Sequence, residues 1–303
     1  MRIAYLGPAG TFSEDALRQS GFAPESFEPV PCDTIPEVIE AIGSGIAERA
    51  FVPIENSIEG SVRGTLDGLV DQAESVGIIG EFDHQIRSAL ISRNPLPLSG
   101  IVAVISHPQP LAQCARFLRE ELPAAELRVA ASTSAAALEV SRSDKPLAAL
   151  APAAAATIYG CKVLREGIED EPGNVTRFVW LAPRGTAAGP AAGEAADPGA
   201  ATTPGEATTP PSWKTTLVFS ELGADHPGAL VNALLEFSTR DINLARIESR
   251  PLRRELGRYL FFLDVEGRED DPVLDEAIRG LRGKAESVII LGSYPGSPTD
   301  PQN

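Results

Sequence analysis

The segment from Pro183 to Ser212 constrains this chain most, because its thirty residues hold six Pro and five Gly and not one Ile, Leu, Val, Phe or Met. With no apolar side chains to bury and a composition that opposes both helix and sheet, it reads as a flexible linker, 183–212. It separates a first unit, 1–182, from a second, 213–295, followed by a polar tail, 296–303. Both units are long enough to build a core of their own. Across the 303 residues, 43% hydrophobic and 22% charged side chains are what a globular protein carries, which excludes wholesale disorder and a membrane bundle.

Charge narrows the partners. The 26 Lys and Arg against 42 Asp and Glu give a net charge of −16, and no basic patch interrupts it, so nucleic acid is not an expected partner. In the folded part, the longest stretch free of charge, Asn94 to Ala115, is broken by Pro95, Pro97, Pro108 and Pro110 and cannot form a membrane-spanning helix. The opening Met-Arg-Ile-Ala-Tyr-Leu-Gly reads as a strand and not as a signal peptide, so a cytoplasmic protein is expected. Cys32, Cys114 and Cys161 are scattered, without ligand spacing, and read as reduced core thiols; no metal is expected.

Periodicity assigns the first unit to the α/β class. Short apolar runs at Arg2–Leu6, Arg49–Ile54, Ile101–Ile105, Leu127–Ala131 and Leu147–Leu150 are each followed by helical spacing: from Thr11, over Val62–Val70, Leu111–Glu121, Ser134–Ser143 and Pro152–Tyr159. The long extended stretch Ile78–Ser92 lies between them and suits a chain leaving one sheet for another, which gives two lobes around a cleft. The second unit reads strand, helix, strand, strand, helix, strand over 215–292, the ferredoxin-like βαββαβ order.

Polar residues of the first unit collect where strands give way to helices, the places at which open α/β sheets bind ligands. Five segments share this placement: Gly7-Pro8-Ala9-Gly10-Thr11-Phe12-Ser13, with Thr11 and Glu14 spaced as a capping box; Pro53 to Ser61, including Glu55, Asn56 and Ser57; Ser106-His107-Pro108-Gln109-Pro110; Ser132-Thr133-Ser134; and Asn174-Val175-Thr176-Arg177-Phe178. Each one alone also reads as ordinary capping or turn chemistry.

Together and in order, these segments resemble the signatures of the prephenate dehydratase family. Thr-Arg-Phe at 176–178 and Ile-Glu-Asn-Ser at 54–57 are the most specific of them. Gly228-Ala229-Leu230-Val231 and Glu248-Ser249-Arg250-Pro251 are similar to the two phenylalanine-site motifs of the ACT regulatory domain found in that family. The resemblance implies a bilobal catalytic domain of the type II periplasmic-binding-protein kind followed by an ACT domain. It implies conversion of prephenate to phenylpyruvate, water and carbon dioxide, with no cofactor, by a monofunctional lyase. Thr176 is then the residue that hydrogen-bonds the leaving hydroxyl, with Asn56 and Gln109 orienting the ring. Thr11, Ser13, Glu55, Ser57, His107, Ser132, Thr133, Ser134, Asn174, Arg177 and Phe178 complete the substrate site. Helix N-termini at Thr11, Ser57 and Ser132 are expected to hold the carboxylates, Arg177 to pair with one, and His107 or Glu55 to supply a proton.

For the second unit the resemblance implies L-phenylalanine as effector, bound by Asp225, His226, Gly228, Ala229, Leu230, Val231, Glu248, Ser249, Arg250 and Pro251 where two ACT domains meet, hence a homodimer or homotetramer. On strand periodicity alone, Glu248 and Arg250 would read as an exposed charged face. The long linker leaves open how tightly effector and cleft are coupled. Arogenate dehydratase and a non-catalytic amino-acid sensor are the alternative readings.

Overall fold

The computed structural model describes residues 1–22, 24–188, 212–220, 227–252 and 258–297. Asp225, His226 and the Pro/Gly-rich segment, apart from 183–188 and Ser212, lie outside them. In the first part of the chain β1 (Arg2–Leu6), α1 (Phe12–Gln19), β2 (Glu28–Cys32), α2 (Ile35–Gly43), β3 (Arg49–Asn56), β4 (Gly60–Ser61), α3 (Arg63–Asp71) and β5 (Val76–Gln85) follow one another. After a break of three residues come β6 (Ala89–Ser92), β7 (Ala103–Ser106), α4 (Pro108–Gln113), α5 (Ala115–Glu121), β8 (Glu126–Val129), α6 (Thr133–Arg142), β9 (Leu147–Ala151), α7 (Ala153–Tyr159) and β10 (Lys162–Glu166). The chain then returns through β11 (Val175–Pro183).

Two mixed sheets result, one ordered β2-β1-β3-β11-β5 with β4 as a hairpin on β3, the other β10-β6-β9-β7-β8. This is the bilobal α/β arrangement expected of the first unit. β11 is inserted between β3 and β5, and its run Phe178-Val179-Trp180-Leu181-Ala182 is buried without alternation, as a strand covered on both faces must be. At the point where the chain crosses between sheets, Ile86 N–H donates to the Asn174 carbonyl at 2.8 Å, tying the outgoing and returning segments together.

Most elements match the periodicity. The spacing over Leu111–Glu121 reads as one helix, whereas the structure has two, α4 and α5, parted at Cys114. The cause is Asp170, whose carboxylate accepts from the N–H groups of Arg116 and Phe117 and so caps a new helix start, while Asp170 N–H donates to the Gln113 carbonyl. Cys114 and Cys161 are buried, but Cys32 is half-exposed and is not a core thiol. Among the described residues no helix is long and apolar enough to cross a membrane.

By proximity of Cα atoms the chain forms two compact units, one of Met1–Val38, Phe51–Val62 and Asp83–Phe178, the other of Ile39–Ala50, Arg63–Phe82 and the chain from Val179 on. The second unit contains the C-terminal sheet: β12 (Trp213–Ser220), α8 (Ala229–Ser238), β13 (Leu244–Pro251), β14 (Tyr259–Glu266), α9 (Pro272–Arg282) and β15 (Ser287–Pro295), antiparallel in the order β13-β14-β12-β15. This is the βαββαβ order. α8 and α9 cover one face, where Leu217, Phe219, Phe237, Leu263, Val265 and Ile278 form the core.

The other face meets α3 and β5 of the same unit. Arg250 on β13 pairs with Asp67 on α3 at 2.8 Å, and Lys214 on β12 with Glu81 on β5 at 2.7 Å. Gly292 lies so close to β5 that a Cβ there would stand 2.2 Å from the Ile78 carbonyl oxygen, so no larger residue fits without displacing a strand.

Candidate active site

A cavity of about 240 Å³ opens within the first unit, beside the crossing between its two sheets. The first sheet and its connections contribute Phe12, Ser13, Pro53, Asn56, Glu59 to Val62, Thr176 and Phe178; α4 contributes Gln109, Pro110 and Gln113; Ile86 and Asn174 come from the crossing segments.

Asn56, at the end of β3, organises the polar wall. Its Oδ1 accepts from the N–H groups of Ile58 and Glu59, at 3.0 and 2.9 Å, which fixes the orientation of the amide. Its Nδ2 therefore faces the acceptors on β11: Asn174 Oδ1 at 2.7 Å, Thr176 Oγ1 at 2.9 Å and the Val175 carbonyl at 3.3 Å. Asn174 Nδ2 in turn donates to Gln113 Oε1 at 3.3 Å. Thr176 thus accepts a hydrogen bond from Asn56 and keeps its own hydroxyl hydrogen for a further acceptor. Gln113 Nε2 is buried and has no hydrogen-bond partner among the described residues. Phe178 forms the apolar wall, stacked on Phe51 at 4.7 Å between ring centroids.

The expected residues divide into those that line the cavity and those that build its frame. Ser13, Asn56, Gln109, Asn174, Thr176 and Phe178 line it. Thr11 caps α1, its Oγ1 accepting from Glu14 N–H, and it also donates to the Leu6 carbonyl. The Glu14 carboxylate, itself paired with Arg18, accepts from Gly10 N–H at 2.5 Å, so the chain already supplies an anion to this loop. Ser57 sits at no helix N-terminus but in the turn from β3 to β4, because α3 begins only at Arg63; its Oγ accepts from Val175 N–H. Glu55 and Arg177 pair with each other at 3.2 Å, across neighbouring strands. His107 caps α4 through Nδ1, and Ser132 caps α6. Thr133 and Ser134 are buried in the first turn of α6, and Ser134 Oγ has no hydrogen-bond partner among the described residues.

Several residues that the motifs do not single out shape the site. Gln113 lies four residues, about one helical turn, beyond Gln109 and so falls on the same face of α4. Glu59 is the carboxyl group on the cavity wall. Tyr159, at the end of α7, donates to the Ala9 carbonyl at 2.6 Å and presses on Gly10, which has φ +80° and where a Cβ would meet the ring at 2.8 Å. This contact holds the first loop of the first lobe against the second lobe.

In the C-terminal sheet, Gly228 has φ +87° and precedes α8, with no described residue within 4 Å of a Cβ built on it, so its backbone conformation accounts for the glycine. Arg246, Glu248 and Arg250 turn toward the face that meets α3 and β5, while Ala245, Ile247, Ser249 and Pro251 are exposed. The exposed charged face that periodicity alone would give is thus reversed. Ala229 and Leu230 are half-buried and Val231 is exposed.

The sequence matches the family model for prephenate dehydratase over residues 3–186 and that for the ACT domain over residues 217–283. The chain belongs to the prephenate dehydratase family. A prephenate dehydratase of Mycobacterium sp. (strain JLS) is 42% identical over 305 residues, covering 97% of this chain and 89% of the relative. Among solved structures, the prephenate dehydratase of Arthrobacter aurescens in complex with L-Phe is 34% identical, with a TM-score of 0.81 over 97% of this chain and 90% of that one. A protein described as GqqA, a novel type of quorum quenching acylase, is 30% identical, also with a TM-score of 0.81, over 98% and 99% of the two chains.

Proposed function

We propose that this chain eliminates water and carbon dioxide from prephenate to give phenylpyruvate, a lyase reaction, and that L-phenylalanine regulates it through the C-terminal domain. The observation that carries the catalytic reading is the Asn56–Thr176 hydrogen bond at 2.9 Å, which leaves a threonine hydroxyl hydrogen available at the cavity wall.

In this reaction the ring hydroxyl departs as water while the bond from the ring to its carboxylate breaks, and that electron pair enters the ring as carbon dioxide leaves. Aromatisation supplies the driving force, so the enzyme has to orient the substrate and stabilise charge on the departing oxygen. Thr176 donates to that oxygen, and Asn56 holds Thr176 in position by donating to its Oγ1. An alcohol is too weak an acid to deliver the whole proton. The remaining proton comes from solvent at this wall, beside exposed Glu59. Ser13, Gln109 and Gln113 supply neutral donors for the two carboxylates and the keto group, and Phe178 packs against the ring.

The regulatory reading rests on the ACT match, whose span contains both motif segments, and on the Arthrobacter protein having been solved with L-Phe. We assign Asp225 to Val231 and Glu248 to Pro251 to the effector site and a second copy of the chain to its other side. β13, an edge strand with Ile247 about half-exposed, offers a surface for that copy. Free Cys32, Cys114 and Cys161 accord with the cytoplasmic location expected from the sequence.

The test is phenylpyruvate formation from prephenate by the purified chain, with and without L-phenylalanine, with arogenate and an N-acyl amide as comparison substrates. Turnover of prephenate suppressed by L-phenylalanine is expected. Preference for arogenate would change the substrate, and release of the acyl group from the N-acyl amide alone would overturn the reading.

A further inference from the structure

The arginine of the effector motif is already engaged. Arg250 donates from Nη2 to Asp67 Oδ2 at 2.8 Å, with 12% and 20% of the two side chains exposed, while Arg250 Nε is buried without a hydrogen-bond partner among the described residues. Asp67 is on α3, and α3 follows directly on Ser61 and Val62, which line the candidate active site. The pair therefore joins the effector strand to a helix one peptide bond away from the cavity rim.

Other ties between the C-terminal sheet and the same unit lie outside the effector motifs. Lys214–Glu81 fastens β12 to β5, and the hydrogen bonds from Arg184, the residue after β11, to the carbonyls of Ile290 and Leu291 hold β15. The close approach of Gly292 to Ile78 holds β15 against β5 regardless of what Arg250 does. The domain can thus stay docked while the Arg250–Asp67 contact opens. An incompletely hydrogen-bonded, largely buried guanidinium is also the kind of group that gains from a second carboxylate.

We propose that Asp67 is an intramolecular competitor of the effector: its carboxylate holds Arg250 when the effector site is empty, and the carboxylate of an amino acid takes Arg250 over when the site fills. Release of Asp67 frees α3 from β13 and loosens Ser61 and Val62 at the rim of the cavity, which is how occupancy of the regulatory site reaches catalysis. By reciprocity, whatever strengthens the Arg250–Asp67 pair weakens effector binding by the same factor. This inference rests on the effector assignment made under the proposed function.

The experiment uses the full chain and Asp67→Asn, with Asp67→Glu as the charge-retaining control. L-phenylalanine binding is measured by titration calorimetry, and inhibition of phenylpyruvate formation is measured alongside. Asp67→Asn is expected to bind L-phenylalanine roughly 5- to 50-fold more tightly, within the range of typical allosteric couplings, and to be inhibited at correspondingly lower concentration. Its turnover without effector should fall toward that of the L-phenylalanine-inhibited parent, because loss of the Asp67 charge already releases α3, and Asp67→Glu should bind the effector and turn over as the parent does. Equal affinity in parent and Asp67→Asn, or weaker affinity in the variant, would overturn the competition. Failure of L-phenylalanine to bind even the parent would remove the effector assignment itself, and the competition with it.

Discussion

Replacing Thr176 by Val separates chemistry from architecture. Valine keeps the shape of threonine and removes one oxygen, the acceptor of the 2.9 Å bond from Asn56 Nδ2. That donor is not orphaned, because Asn174 Oδ1 remains at 2.7 Å and the Val175 carbonyl at 3.3 Å. The stability cost is therefore that of one net hydrogen bond, about 1 kcal/mol, or roughly 2–4 °C in melting temperature for a domain of this size. Loss of a preorganised donor to charge developing in the transition state costs about 3–4 kcal/mol, a fall in kcat of roughly 10²- to 10³-fold. The assay is steady-state phenylpyruvate production at several prephenate concentrations, paired with a thermal melt of each variant. The expected result is a steep loss in kcat, little change in KM and a nearly parental melt, with Thr176→Ser recovering much of the rate. A Thr176→Val enzyme that keeps more than about a tenth of the parental kcat, or whose loss lies in KM alone, would refute the role given to the hydroxyl.

Gln113→Leu removes the acceptor of Asn174 and the buried Nε2 donor on the cavity wall, so KM should rise about tenfold, roughly the worth of one lost hydrogen bond to a charged group; an unchanged KM would take Gln113 out of the substrate site. Gly10→Ala forces a side chain into φ +80° and to 2.8 Å from the Tyr159 ring, and should cost about 1–3 kcal/mol in a denaturant melt, whereas parental stability would mean that the loop moves freely. Burial pushes the Cys114 thiol up to about 12, so at pH 8 it is protonated as well as enclosed; native protein should show one readily labelled thiol, half-exposed Cys32, labelled faster as pH rises, and three fast thiols would contradict the packing.

What the sequence conveys and what it withholds follow physical lines. α1 and α6 were legible because their caps, Thr11 and Ser132, are local and fix the helix start within three residues. β2 is an edge strand of sequence Glu-Pro-Val-Pro-Cys, and two prolines in five residues hide it, since proline is tolerated only where no ladder partner needs its N–H. The break between α4 and α5 depends on Asp170, 54 positions beyond Arg116, and no local pattern announces it. In the site, motifs tell which segments meet but not how they pair, so the mutual bond of Glu55 and Arg177 had to be seen. Gln113 was within reach of helical spacing from Gln109. Glu248 and Arg250 share a face by strand periodicity, but which face is covered depends on α3 and β5, far away in the chain.

Insertion of β11 between β3 and β5 has a consequence for biosynthesis. Asn56 and Thr176 are 120 positions apart, and everything between them, including the whole second sheet, leaves the ribosome before Thr176 does. At about 5–20 residues per second, β3 and β5 wait roughly 6–24 s or less with a gap where their central neighbour belongs. During that interval two apolar strand edges are open to any other extended chain, and a polypeptide released early carries neither a closed first sheet nor a hydroxyl beside Asn56. Catalytic competence thus arrives with the last strand of the catalytic region, so activity is evidence that synthesis ran past it.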